Sequence, residues 1–142
     1  MDFGRVAIAA VTAWVVFLLV STLLSPALLG EFYQRHASLF RRPADQNGVI
    51  GFAAAFFGFF VFAYAYAKGY EGGGRASEGM RFGVLVGLLI ASFSLAWAYV
   101  LLPISPGFAA AAVIDTIVEM AIYGVVVGLI YRPRTPRAPE KR

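Results

Sequence analysis

Apolar residues in this chain come in long unbroken runs, and the charges fall between the runs rather than alternating with them. The first run, residues 6–29, lies between Arg5 and Glu31 without a single charge. At about 1.5 Å per residue it is long enough to cross a hydrocarbon core of about 30 Å. The second run, residues 49–67, is bounded by Asp45 and Lys68. The third, residues 82–102, stops at Pro103-Ile104-Ser105-Pro106-Gly107, a turn signal that separates it from a fourth at residues 108–131. This pattern predicts an all-α integral membrane protein with four transmembrane helices in a compact antiparallel bundle. Residues 1–131 form the one domain, followed by a basic, disordered tail at 132–142.

Two segments add detail. Pro26 is expected to bend or end the first helix near the far interface. Beyond it, Leu29, Phe32, Tyr33, His36 and Phe40 recur at helical spacing, and Glu31 and Arg35 form an i,i+4 pair. This predicts a short amphipathic interfacial helix between the first two spans. The connection from Lys68 to Arg81 contains five glycines and reads as a flexible linker. It lacks the preceding strand and the Lys-Ser/Thr pair of a phosphate-binding loop. A cleaved signal peptide is not expected, because the first run is too long and no small-x-small cleavage motif follows it.

Composition sharpens the class. Of the 142 residues, 60% are apolar and 14% charged, with a mean hydropathy of +0.74; a soluble domain carries about a quarter charged residues. Four spans use most of the chain, so no separate soluble domain fits. With no cysteine and His36 as the one histidine, disulfides, iron–sulfur clusters, thiolate zinc sites and a bis-histidine haem are excluded, and neither metal nor cofactor is expected. The basic residues sit at the ends of runs rather than in a stripe, which argues for topology and against nucleic acid. Arg5, Lys68, Arg75, Arg81, Arg132, Arg134, Arg137, Lys141 and Arg142 fall on one side, and Arg35, Arg41 and Arg42 on the other. Nine against three places both termini in the cytoplasm of a multi-pass inner (plasma) membrane protein. The abundance of Ala, Gly, Arg and Pro beside two lysines suggests a GC-rich bacterial source, and the layout resembles that of short four-span bacterial membrane proteins.

Within lipid, helices rely on close backbone approach through small residues. Gly79, Gly83 and Gly87 form one ladder at four-residue spacing and Gly124 and Gly128 another, with Ala54 and Gly58 available on the second span. A glycine face of this kind suits self-association or contact with another membrane protein.

Candidate chemistry rests on two residues. Asp115 and Glu119 are the charges placed well inside a span, four residues apart on one helical face, and Glu119 is close to the midplane. An acid there costs about 2.5–3.5 kcal/mol on insertion. No span holds an interior Lys, Arg or His, so hydrogen-bond donors at comparable depth, Thr12, Trp14, Ser92 and Ser94, are the expected partners. The pair is expected to share at least one proton near neutral pH. Three readings follow: a structural or accessory component with buried protonated carboxyls, a proton- or cation-linked transporter or channel-like oligomer using the pair, and a subunit whose partner supplies a basic residue. Nothing further suggests a catalytic site.

Overall fold

The computed structural model describes residues 2–72 and 75–131. Among them all regular structure is helical: α1 (Phe3–Arg35), α2 (Gly48–Lys68), α3 (Arg75–Ile90), a π-helical turn (Ala91–Leu95), α4 (Ala96–Leu101) and α5 (Pro106–Ile130). Four stretches are long and apolar enough to span a membrane: Phe3–Ala27, Gly48–Lys68, Arg75–Leu101 and Pro106–Ile130. The proposed tail at 132–142 lies outside the described residues.

Helix α1 departs most from expectation. It continues through Pro26 without interruption for 33 residues, about 50 Å, more than a hydrocarbon core requires. Loss of one backbone bond at proline is tolerated where neighbouring groups hold the helix. Here the turns beyond the proline are held by packing. Leu29 is buried, while the rings of Phe32, Tyr33 and His36 gather on Phe108 at the start of α5. The apolar stripe from Leu29 to His36 therefore belongs to α1 and covers α5, and no separate interfacial helix forms; short 3₁₀ turns at Ala37–Leu39 and Pro43–Asp45 follow. The Glu31–Arg35 pair is present at 3.1 Å and exposed.

The third span begins at Arg75, seven residues before the sequence pattern places it. Glu78 and Gly79 are thus helical rather than part of a linker. Gly72, at φ +81°, makes the turn before it in a conformation that suits glycine. What holds glycine-rich residues 79–87 in a helix is tertiary contact. A Cβ on Gly79 would overlap the Gly124 carbonyl oxygen, one on Gly83 the Met120 carbonyl oxygen, and one on Gly87 would lie 2.9 Å from the Ile117 Cα. Reciprocally, Gly124 faces the Gly79 carbonyl and Gly128 that of Arg75. The two ladders are packed against each other within the chain. Gly58, by contrast, meets nothing within 4 Å.

At the other end of the span, Ser105 caps α5 by accepting the Phe108 N–H at 3.2 Å, and Pro106 takes the first helical position, where its missing N–H costs nothing. Helix α5 lies against α3 on one side and α1 on the other, and α1 also carries α2. Between them Phe17, Phe59 and Tyr123 meet edge to face or tilted, with centroids 5.1–6.1 Å apart.

The seam predicts a contrast between glycines. Gly83→Val should lower stability by roughly 1–3 kcal/mol, measured by thermal or denaturant unfolding in detergent. Gly51→Ala, where a Cβ meets nothing within 4 Å, should be neutral or slightly stabilising.

Candidate functional site

Helix α5 presents two different faces. Gly124 and Gly128 lie against α3, and this sets the rotation of the helix. Asp115, Glu119 and Tyr123, spaced at four residues, then share another face. Phe17 meets Tyr123 edge to face, so this face looks toward α1.

The Glu119 carboxyl is held at both oxygens. Ser25 on α1 donates its hydroxyl to Oε1 at 3.0 Å, and Tyr123 donates its own to Oε2 at 3.0 Å. Ser21, one turn before Ser25, is a further hydrogen-bond partner of the Tyr123 phenol. Two i,i+4 pairs, Ser21/Ser25 and Glu119/Tyr123, therefore face each other across the α1–α5 contact. Tyr123 is fully buried, and a buried hydroxyl left without a partner would cost about 1–3 kcal/mol.

Asp115, one turn toward the start of α5, is only 8% exposed. Its Oδ1 is buried with no hydrogen-bond partner. Tyr33, on the part of α1 beyond the Phe3–Ala27 span, stands near this end of the stripe. Burial pushes its phenol above the ordinary tyrosine value, so it stays neutral at physiological pH.

The donors expected from depth do not reach the acids. Thr12 returns its hydroxyl to the Ile8 carbonyl of its own helix at 2.9 Å, and the Trp14 indole donates to the Phe52 carbonyl of α2 at 3.3 Å. Ser92 and Ser94 lie in the π-helical turn with exposed side chains. The reason is the length of α1. Ending that helix near Pro26 puts Ser21 and Ser25 at the membrane edge, whereas its continuation to Arg35 brings them level with Glu119. The overlooked signal was the pair of serines at i,i+4, matched by Glu119 and Tyr123.

Among the described residues no group of three or more His, Cys, Asp and Glu could hold a metal ion. The arrangement instead joins hydroxyls to a carboxyl across two helices. Compared with known protein families, characterised proteins and solved structures, the chain matches none.

Ser25→Ala should cost about 1 kcal/mol of stability, as expected for a hydrogen bond to a half-buried carboxyl. Thr12→Val, which loses only a bond within its own helix, should change stability by less than about half of that. Unfolding of both variants in the same detergent measures the difference.

Proposed function

We propose that this chain is a structural or accessory component of a membrane, in which the carboxyl stripe of α5 fastens that helix to α1. The observation that carries this reading is the Ser25–Glu119 bond, which joins residues 94 positions apart on two different helices. With Ser25 and Tyr123 on its two oxygens, Glu119 has the surroundings of a polar clasp. A protonated Asp115 fits beside it, since a neutral acid leaves no charge on a buried oxygen that has no partner.

The clasp belongs to a compact antiparallel four-helix bundle. Its support is the order of the glycine contacts, in which rising positions on α3 meet falling positions on α5. The excess of Lys and Arg beside the termini and the 68–81 connection favours both termini in the cytoplasm of a bacterial inner (plasma) membrane. Association with a second copy or another membrane protein would use faces other than the glycine seam. Phe52, Phe56 and Phe57 of α2 are exposed and available for it.

A second reading, a proton- or cation-linked transporter built on Asp115 and Glu119, draws on the buried Asp115 oxygen one turn from a chain of hydroxyls. Glu119→Gln separates the two. Glutamine keeps the shape and an acceptor for Ser25, so the clasp predicts a variant that folds like the parent, and a parent that moves neither protons nor monovalent cations in liposomes at any pH. A proton or cation flux in the parent that vanishes in Glu119→Gln would replace the structural reading with transport.

A further inference from the structure

A hydroxyl inside a membrane helix ordinarily turns back to a carbonyl of the preceding turn, as those of Thr12 and Thr22 do on α1. Ser92 does not. It lies in the π-helical turn, where the Ala96 N–H reaches back five residues to the Ala91 carbonyl, a departure from the α-helix found mostly at functional positions. Its side chain is exposed, and among the described residues its hydroxyl makes no hydrogen bond. A hydroxyl left so in hydrocarbon is costly. On α5, Asp115 has the complementary lack: Oδ1 is without a partner, and the small part of the residue left open adjoins Ile114, which is exposed, as is Val118 one turn on.

Both groups border one side of the α3–α5 pair. Gly83 faces Met120 and Gly87 faces Ile117, so the two helices run in opposite senses. On such a pair, residues that follow the seam in the same rotational sense emerge on the same side. Leu88 and Ser92 come one residue after the buried Gly87 and Ala91, and Ile114 and Val118 come one after Val113 and Ile117; all four are exposed.

Their depths also agree. From the level of the Gly87–Ile117 contact, Ser92 is five residues toward the 103–107 turn and Asp115 is two, a difference of about 4.5 Å. Side chains tilt toward the N-terminus of their own helix, which on these two helices moves Ser92 away from the turn and Asp115 toward it. The tilt narrows the offset.

We propose that two copies of this chain, inserted in the same sense, pack on this side, with the Ser92 hydroxyl of each donating to the Asp115 carboxyl of the other. A twofold axis along the membrane normal keeps every residue at its own depth, so the contact forms twice. A half-turn of χ2 exchanges the two Asp115 oxygens, so either one can accept. Lipid tails satisfy neither group, and a different protein has to bring both an acceptor and a donor to these depths; a second copy already carries both. The inference rests on the chain spanning a membrane and makes no use of the Ser25–Glu119 bond.

The chain has no cysteine, so introduced cysteines report contacts without background. Leu88→Cys and Val118→Cys, made in separate copies and mixed in liposomes, should give a disulfide-linked dimer on mild oxidation, whereas Phe57→Cys on the exposed face of α2 should not. Resonance energy transfer between labelled copies, followed over a range of lipid dilutions, measures the affinity. Ser92→Ala should weaken the dimer about tenfold, the combined effect of two interhelical hydrogen bonds, and Ser94→Ala in the same turn should leave it unchanged. Asp115→Leu should weaken it as much, and Ser92→Ala added to Asp115→Leu should change little further. Ser92 is exposed, so its variant keeps the test open should Asp115→Leu fail to fold. A chain that stays monomeric at every dilution, a dimer indifferent to Ser92→Ala, or cross-linking through Phe57→Cys in place of the α3–α5 pair would overturn the proposal. Because Ser25→Ala acts within one copy and is read by unfolding, failure of the dimer and failure of the clasp are separately visible.

Discussion

In a bilayer, apolar side chains gain little by leaving lipid for one another, so two helices stay together only where their backbones come close or their polar groups meet. The contact of α3 with α5 satisfies the first condition. Gly79 and Gly83 set their Cα atoms against carbonyls of α5, and Gly124 and Gly128 return the same approach. No side chain fits between them, so the seam fixes the rotation of α5 as well as its distance. The turning of Asp115, Glu119 and Tyr123 away from α3 and toward α1 follows from that rotation.

The α1–α5 contact satisfies the second condition. Its geometry depends on α1 running past Pro26 to Arg35, which brings Ser21 and Ser25 level with the carboxyl stripe and lets Phe32, Tyr33 and His36 enclose Phe108. The aromatic contacts at the start of α5 and the Phe17–Tyr123 contact further along bracket the acids between apolar layers. A carboxyl half-buried in this way keeps its hydrogen bonds partly shielded from competing water. Helix α2 is joined differently. It rests mainly on α1 and meets Phe82 of α3 through Phe62 and Tyr66, which leaves a cleft beside it.

The four apolar spans and the two acids were legible from the pattern of charges, because a charge inside an otherwise uncharged run stands out at once. The glycine ladders were legible as spacing, but spacing alone does not say what a ladder meets. Within the chain each ladder meets the other. The partners of Glu119 were hidden by the proline rule. Pro26 marks a helix end in water, whereas here packing on Phe108 carries the helix through it. Glu78 was hidden in the same way: five glycines read as a flexible linker, and only contact with α5 turns Gly79 and the residue before it into helix. In each case a local propensity was overridden by tertiary contact that the local sequence does not encode.

The account turns on whether the Glu119 carboxyl couples α1 to α5, and a double-mutant cycle between Ser25→Ala and Glu119→Leu, read as unfolding free energies in one detergent, tests it most directly. A direct bond predicts that the two effects are non-additive, with a coupling of about 1 kcal/mol or more. Additive effects, within about 0.3 kcal/mol, would contradict the clasp.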